Sequence, residues 1–343
     1  MNTEIIDIKN SQSKEEIYKK LKKYYEEDKL VAIPTETVYG LSANATSEQA
    51  VEKIYTAKGR PSDNPLIVHF YKVEQLESLV HYKEEKIVKL MENFWPGPMT
   101  LILNAKENNG IAKKVTAGLK TLAVRMPANK IAREILKNTE ILLAAPSANT
   151  SGKPSPTKFE HVYHDMNGRV EVIIADKQAD IGLESTVIDC TKNPFVIARP
   201  GSITREDIEK VLGKNSVKYN DELVGKDSTP IAPGMKYRHY SPEAELILYN
   251  KTLEQLITYL KRKDKKTGLL TYENTSSLVE NLDVNIKFLA KNEKDVEQSA
   301  KNLYNILREF DSEGVEVIYM LPIEETKDNV ALLNRLNKAI SKK

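Results

Sequence analysis

The chain has 343 residues, more than a single domain usually holds, so two domains are expected. With 40% hydrophobic and 29% charged residues, its composition is that of a globular protein and not of a disordered chain. The 51 basic and 49 acidic residues give a formal net charge of +2, which argues against a dedicated nucleic-acid-binding or membrane-surface protein, and the single cysteine, Cys190, excludes an intramolecular disulfide and a cysteine zinc cluster.

Residues 1–212 mix short apolar runs with amphipathic segments. Apolar side chains at helical spacing predict helices over 14–27, 84–93, 129–138 and 205–212. The predicted strands are 30–33, 66–70, 99–103, 121–125, 141–145, 170–175, 186–190 and 196–198. Because several of these strands lie close together in the sequence, we predict an α/β domain with a mixed sheet.

Residues 213–243 are predicted to be a linker or a functional loop, because they are poor in periodic apolar residues and contain Pro230, Pro233 and Pro242. From residue 244 onwards the pattern alternates between strand and helix. Strands are predicted at 245–249, 268–272, 286–290 and 315–321, and helices at 253–262, 276–281, 295–310 and 328–340. Strict alternation predicts parallel strands joined by crossover helices, and therefore a smaller Rossmann-like domain.

Several familiar signals are missing from the sequence. Neither the G-x-x-x-x-G-K-[ST] phosphate loop nor the G-x-G-x-x-G fingerprint occurs, so a nucleotide would need another binding device. No apolar run approaches the roughly 18–20 residues of a membrane helix, and the N-terminus is too polar for a signal peptide. We therefore expect a cytoplasmic protein without membrane partners. Because Cys190 ends the apolar run 186–190, we also expect it to be buried in a strand.

Two polar segments in the first domain follow predicted secondary structure. Residues 34–41 follow a strand, and their hydroxyl and carboxylate groups suit a small polar ligand, although a capped turn has the same composition. Lys58 and Arg60 flank Gly59 at a helix end. These cations could clamp phosphate or carboxylate groups, or could simply complement the helix dipole.

Further candidates lie in or directly after strands. His69 alternates with apolar residues, a pattern that is more often structural than functional. Arg125 ends an apolar strand, where a cation needs an anionic ligand, an ion-pair partner or water. Residues 145–155 are rich in hydroxyl and amide groups, which favours a ligand site after a strand but also suits an ordinary loop. The segment 233–242 mixes cations and aromatic rings, and either covers a nucleotide or joins the two domains.

Together these segments resemble one family, the YrdC-like threonylcarbamoyl-AMP synthases in their long, two-domain form. The motifs that carry the resemblance are, in order, PTETVYGL (34–41), KGRPSDNPLIVH (58–69), FWPGPMTL (94–101), VRMP (124–127), PSANTSGKPSPT (146–157), ESTVID (184–189), RPGSIT (199–204) and PGMKYRHYSP (233–242). Each motif alone is weak, but the ordered set is specific and, with the C-terminal α/β pattern, covers essentially the whole chain.

The resemblance implies a YrdC-like catalytic domain over 1–212, a linker and active-site lid over 213–243, and a Rossmann-like C-terminal domain over 244–343. It implies a nucleotidyltransferase that converts L-threonine, bicarbonate or carbon dioxide, and ATP into threonylcarbamoyl-AMP and pyrophosphate. Magnesium is expected to accompany ATP. A separate transferase complex would modify tRNA beside the anticodon, so tRNA would be an indirect partner, and a monomer is expected.

The resemblance also implies the roles of individual residues. L-Threonine would be held by Thr37, His69, Arg125, Ala145 and Ser185. ATP would be held by Arg60, Asn64, Thr121, Ser147, Asn149, Ser155 and Arg199, and in the linker by Tyr237 or His239. Lys58 and Arg60 would be catalytic, because fixed cations offset the repulsion between a carbamate and a triphosphate. No metal ligands are implied.

Two other functions stand as alternatives. A double-stranded RNA-binding module would use the same concave domain, but the near-neutral charge argues against RNA binding as the main activity, and only weak binding is expected. Carbamoyl transfer occurs in related domains, which usually sit in larger chains with zinc-finger-like cysteines, whereas this chain has one cysteine. The fold pattern alone assigns no ligand to the C-terminal domain.

Overall fold

The computed structural model describes residues 2–220 and 240–340, which form two sheets. The strands of the larger sheet are β1 (Glu4–Ile6), β2 (Val31–Ile33), β3 (Gly40–Asn44), β4 (Ile67–His69), β5 (Met99–Asn104), β6 (Thr121–Arg125), β7 (Leu143–Ala144), β8 (Val172–Ile174), β9 (Thr186–Asp189), β10 (Phe195–Arg199) and β11 (Val217–Tyr219). Their spatial order is β1-β8-β2-β3-β7-β4-β6-β5-β9-β10-β11. Parallel pairs such as β4–β6 and antiparallel pairs such as β5–β6 both occur, so the predicted mixed sheet is confirmed.

Helices cover both faces of this sheet. They are α1 (Lys14–Glu26), α2 (Glu48–Lys58), α3 (Glu85–Phe94), α4 (Lys113–Thr116), α5 (Lys130–Thr139), α6 (Phe159–Met166) and α7 (Arg205–Leu212). Strand β2 shows how the sequence produces two cores: Ala32 belongs to the same buried cluster as Ile54 of α2, whereas Val31 and Ile33 belong to the cluster of Leu21 of α1. Successive side chains of a strand point to opposite faces, so an entirely apolar strand needs helices on both sides.

The smaller sheet contains β12 (Glu245–Leu248), β13 (Thr267–Thr271), β14 (Asn285–Phe288) and β15 (Val317–Met320), in the order β12-β15-β13-β14. All of its pairs are parallel. Its helices are α8 (Leu253–Leu260), α9 (Ser276–Val279), α10 (Val296–Ser312) and α11 (Val330–Ala339). The Rossmann-like parallel sheet predicted from strict strand–helix alternation is therefore confirmed.

Three short strands were not predicted. β1 and β11 have three residues each, and β3 begins inside the segment 34–41 that was interpreted as a loop or turn. β11 lies in the predicted linker and pairs in parallel with β10, so the larger sheet continues past residue 212. Tyr237 and His239 lie outside the described residues.

Cys190 is buried, as predicted, but it lies directly after β9 and not within the strand. Across 2–220 and 240–340, none of the helices has both the length and the apolar character needed to cross a bilayer.

The two domains are packed tightly against each other. Val38 and Leu183 of the first domain belong to the same buried cluster as Leu303 and Leu307 of α10. Gly182 has a φ of +82°, and a Cβ atom there would lie 2.5 Å from the Cα atom of Lys301, so the close approach requires glycine. The C-terminal domain therefore packs on the segment that leads into β9.

Candidate active site

A polar cleft brings together most of the residues that the resemblance implicates. All five residues assigned to L-threonine line it: Thr37, His69, Arg125, Ala145 and Ser185. Three residues assigned to ATP line it as well: Arg60, Ser147 and Arg199. Residues from distant parts of the sequence thus meet in one cavity, as expected for a binding site.

Strand ends position the charged side chains of the cleft. His69 ends β4 and lies directly opposite Arg125, which ends the parallel neighbour β6. Arg199 ends β10, and Ser185 immediately precedes the antiparallel neighbour β9. Because a strand backbone is fixed by its neighbours, these side chains are held in defined positions without a ligand.

Arg125 is held by a buried carboxylate. Its Nη2 atom lies 2.6 Å from Oε1 of Glu36, and the two side chains are only 5% and 8% exposed. Its Nη1 donates to the Thr37 hydroxyl at 3.0 Å, and its Nε donates to the Gly97 carbonyl at 3.3 Å. Burial opposes ionisation of Glu36, but the charge of Arg125 outweighs it, so the pKa of Glu36 is lowered. The sequence left open an ion pair or a ligand for Arg125, and the structure shows the ion pair beside the cleft.

His69 contributes a neutral imidazole to the cleft. Burial, aided by the charge of Arg125, lowers its pKa to about 3. Its Nδ1 atom lies 3.2 Å from the Ile67 carbonyl oxygen. The ring therefore adds polarity beside Arg125 without adding a second positive charge at neutral pH.

The neutral state of His69 makes the stability of the protein depend on pH. In the unfolded chain this histidine binds a proton near pH 6.5, whereas in the folded protein it stays neutral down to about pH 3. The unfolded state therefore binds more protons in this window, and stability falls as the pH falls below 6.5. We expect His69→Gln to reduce the slope of the unfolding free energy against pH by up to about 1.4 kcal/mol per pH unit.

Denaturant unfolding between pH 6.5 and 4.5 measures this slope. The control is His81→Gln, because His81 is exposed and its loss removes no buried imidazole. His161, whose pKa burial also lowers to about 3, is present in every variant and cancels in the comparison. Equal slopes for wild type and His69→Gln would contradict a buried neutral His69.

Arg199 is oriented by the backbone before β9. Its Nε and Nη2 atoms donate to the Ser185 carbonyl at 3.2 and 3.0 Å, and Nη2 also approaches the Ser185 hydroxyl at 3.2 Å. That hydroxyl shares a hydrogen bond of 2.8 Å with the Thr100 hydroxyl. These contacts hold a buried guanidinium at the wall of the cleft.

Lys58 has a different environment from Arg60. Its Nζ donates to the carbonyl oxygens of Ser147 and Asn149, the latter at 2.7 Å, and its own carbonyl accepts from the Ser151 amide at 2.8 Å. Burial, followed by the charge of Arg60, lowers the pKa of Lys58. Lys58 thus holds the 147–151 loop and does not line the cleft, so its catalytic role stays a prediction.

Unsatisfied polar atoms mark the part of the site near α2. Within the described ranges, Nε of Arg60 and both amide atoms of Asn64 are buried without a hydrogen-bond partner. Nη2 of Arg60 makes one long contact, 3.4 Å, to the Asn64 carbonyl. Buried polar groups without partners are costly in free energy, so this arrangement fits a site that a polar ligand completes.

Four of the predicted ATP residues that the structure describes lie outside the lining of the cleft: Asn64, Thr121, Asn149 and Ser155. Thr121 begins β6, and the Asn149 amide donates to the carbonyls of Thr150 and Lys153. Ser155 donates to the carboxylate of Glu184, which does line the cleft. The sequence analysis gave Glu184 no role although it lies inside a quoted motif, and it named the carboxylate of segment 34–41, which is Glu36, without predicting its pairing with Arg125.

The electrostatics of the cleft favour an anionic ligand. Among its described lining residues are three arginines, Arg60, Arg125 and Arg199, and one carboxylate, Glu184. No group of three or more acidic, histidine or cysteine side chains in 2–220 and 240–340 could hold a metal ion. The nearby carboxylates Glu36 and Glu184 are each paired with an arginine.

Comparisons with known proteins agree with this architecture. A family model described as "Telomere recombination" matches residues 23–201, and one described as "Threonylcarbamoyl-AMP synthase, C-terminal domain" matches residues 203–341. The threonylcarbamoyl-AMP synthase of Pyrococcus abyssi is 45% identical over 92% of this chain and 92% of its own length. That of Bacillus subtilis is 44% identical over 91% of this chain and 90% of its own length.

A solved structure shows the same two-domain fold. The crystal structure of Pyrococcus abyssi Sua5 complexed with L-threonine is 42% identical, covers 99% of this chain and 97% of that chain, and has a TM-score of 0.86. The resemblance noted in the motifs is therefore confirmed across both domains. On these grounds the chain belongs to the threonylcarbamoyl-AMP synthase family, in its two-domain form.

Proposed function

We propose that this chain is an L-threonylcarbamoyladenylate synthase, which converts L-threonine, bicarbonate or carbon dioxide, and ATP into threonylcarbamoyl-AMP and pyrophosphate. The names of its relatives and the L-threonine complex of a related structure support this function. The observation that carries it is one cleft that combines Thr37, His69 and Arg125 with the arginines Arg60 and Arg199. Such a site can accept an amino acid and a polyphosphate side by side.

The reaction forms two new bonds, one from nitrogen to carbon and one from oxygen to phosphorus. The amino nitrogen of threonine bonds to the carbon of carbon dioxide and releases a proton, or bonds to the carbon of bicarbonate as a C–O bond breaks and water leaves, and either route gives a carbamate. A carbamate oxygen then attacks the α-phosphorus of ATP, and the bond from that phosphorus to the bridging oxygen breaks. The electron pair leaves with pyrophosphate.

The residues of the cleft suit this sequence of steps. We place the threonine carboxylate beside Arg125, which Glu36 holds in position, and beside Thr37, whose hydroxyl accepts a hydrogen bond from Arg125. Arg60 and Arg199 would face the phosphates and reduce the repulsion between carbamate and triphosphate. No covalent nucleophile is required, since holding two reactants in line can itself lower the barrier by roughly 7–11 kcal/mol at best.

Magnesium is proposed as a companion of ATP. When bound, the ion would help to neutralise the charge of the triphosphate, as magnesium commonly does in nucleotide-using enzymes. We further propose that the protein works as a cytoplasmic monomer and that a separate transferase complex passes the product to tRNA.

Pyrophosphate release tests the proposed function directly. The intact protein is incubated with ATP, magnesium, bicarbonate and L-threonine, and each component is omitted in turn. We expect release only when both threonine and bicarbonate are present, because the carbamate is the attacking group. Pyrophosphate release that does not depend on threonine, or no release from the folded protein, would contradict the proposal. Salt-sensitive RNA binding without ATP consumption would instead favour the RNA-binding alternative.

A further inference from the structure

The carboxylate of Glu184 lies where the two domains meet the cleft. It lines the cleft, and its side chain is 8% exposed. Arg335 of α11 donates from Nε to Glu184 Oε2 at 2.9 Å, and Tyr304 of α10 donates to the same oxygen at 3.1 Å. Ser155, from the first domain, donates to the other oxygen. Of these three partners among the described residues, two thus come from the C-terminal domain.

Arg335 also reaches a second segment of the cleft wall. It is completely buried, and its Nη1 donates to the Pro200 carbonyl at 2.7 Å. Glu184 immediately precedes Ser185, and Pro200 immediately follows Arg199. A single guanidinium of the C-terminal domain therefore ties together the two segments that carry Ser185 and Arg199.

The charges in this region explain why the tie matters. Glu184 lies close enough to Arg335 and Arg199 for both charges to act on it; burial opposes its ionisation, but they outweigh that effect and lower its pKa to about 2. Its direct ion pair is with Arg335, whereas Arg199 donates to Ser185. Without Arg335, Glu184 would remain a buried anion beside one remaining guanidinium. Because an unpaired buried charge is costly, an ion pair between Glu184 and the neighbouring cation Arg199 would become favourable.

We propose that Arg335 and Tyr304 are positioning residues for the nucleotide site: by engaging Glu184, they prevent this carboxylate from drawing Arg199 away from the phosphates of ATP. The C-terminal domain would thus complete the active site electrostatically without contacting a substrate. This inference rests on the proposed function, because it takes Arg199 as a ligand of ATP.

The test is an equilibrium binding measurement that requires no turnover. The probe is an ATP analogue in which a methylene group replaces the α–β bridging oxygen, titrated into the full chain by calorimetry. We expect Arg335→Met to raise the Kd of the analogue at least tenfold. We expect the double variant Arg335→Met/Glu184→Gln to return to within threefold of wild type, because the competing charge is gone.

The double variant separates positioning from a structural role. If Arg335 only held the domains together, removal of a second interface group would weaken binding further. A Kd within twofold of wild type for Arg335→Met, or a double variant that binds no more tightly than the single one, would overturn the proposal.

Arg308→Met is the matched control for interface damage. Arg308 of α10 also forms an ion pair across the interface, 2.7 Å from Asp165, and also donates to a main-chain carbonyl, that of Pro154. None of these three residues lines the cleft. We expect a Kd change below threefold, and a change as large as that of Arg335→Met would overturn the proposal.

Tyr304→Phe carries the test if Arg335→Met does not fold. It removes one donor to Glu184 but keeps the ring that stacks on Tyr240 at 5.4 Å between centroids. We expect a several-fold increase in Kd, and an unchanged value would overturn the proposal. Pyrophosphate release by the wild type is measured separately, so a failure of the proposed reaction is distinguishable from a failure of this positioning role.

Discussion

Arg125→Met should abolish threonine-dependent pyrophosphate release and also destabilise the fold. The substitution removes the cation proposed to hold the threonine carboxylate and leaves Glu36 as an unpaired, buried anion. Breaking a buried ion pair by removing one partner costs about 3–5 kcal/mol, so the free energy of unfolding should fall by about that amount. We expect kcat/KM for threonine to fall by at least about a thousandfold, since both the charge and the geometry of the pocket are lost.

A second substitution separates the two effects. In Arg125→Met/Glu36→Gln no charge is stranded, so most of the lost stability should return while threonine binding stays absent. Denaturant unfolding measures the first quantity and calorimetric titration of L-threonine the second. Threonine binding that recovers together with stability would show that Arg125 acts only through the fold.

The control for this experiment is again Arg308→Met. It strands Asp165, a buried carboxylate outside the lining of the cleft. We expect a comparable loss of stability with threonine affinity within about threefold of wild type. A control that loses threonine binding as completely as Arg125→Met would assign the effect to general destabilisation.

Arg60→Ala should have the opposite profile, with turnover lost and the fold intact. Arg60 is half-buried and follows the C-cap of α2, and among the described residues its side chain makes only the long hydrogen bond to the Asn64 carbonyl. The free energy of unfolding should therefore change by less than about 1 kcal/mol. Removing an arginine that faces a transferring phosphoryl group commonly costs about 10³-fold or more in rate, and we expect a loss of that size in kcat.

Lys53→Ala on the same helix is the matched control for Arg60→Ala. Lys53 is also half-buried, and its Nζ donates to the Asp28 carbonyl at 2.9 Å, away from the cleft. We expect its kcat to stay within twofold of wild type. Arg60→Ala with near-normal pyrophosphate release would remove Arg60 from the site.

Substitution of Arg125 and substitution of Arg60 should change different kinetic parameters. Loss of Arg125 should first appear in the affinity for threonine, whereas loss of Arg60 should appear in kcat at saturating substrates. The difference follows from their environments, since Arg125 is fixed by Glu36 before any ligand binds, whereas Arg60 has a buried Nε without a partner among the described residues.

The fold was predictable wherever local patterning was strong. The alternation of apolar strands and amphipathic helices in the C-terminal domain predicted a parallel sheet, because crossover helices leave few other arrangements. The strands that were missed, β1, β3 and β11, are short or lie within polar motifs. Such strands form because partners that are distant in the sequence pair with them. In β1, for example, Glu4 pairs with Val172 of β8.

The family, the two-domain class and the cleft residues that lie within the quoted motifs were predictable from the order of residues along the chain. The pairing of the buried charges was not, because it depends on the folded arrangement: Glu36 and Arg125 are 89 positions apart, and Glu184 and Arg335 are 151 positions apart. Burial makes an unpaired charge costly, so each buried ion must be matched in space by whichever group the fold brings to it. A pattern of neighbours along the chain contains no information about that match, which is why Lys58 could be predicted as a cation of the site but not as the residue that holds the 147–151 loop.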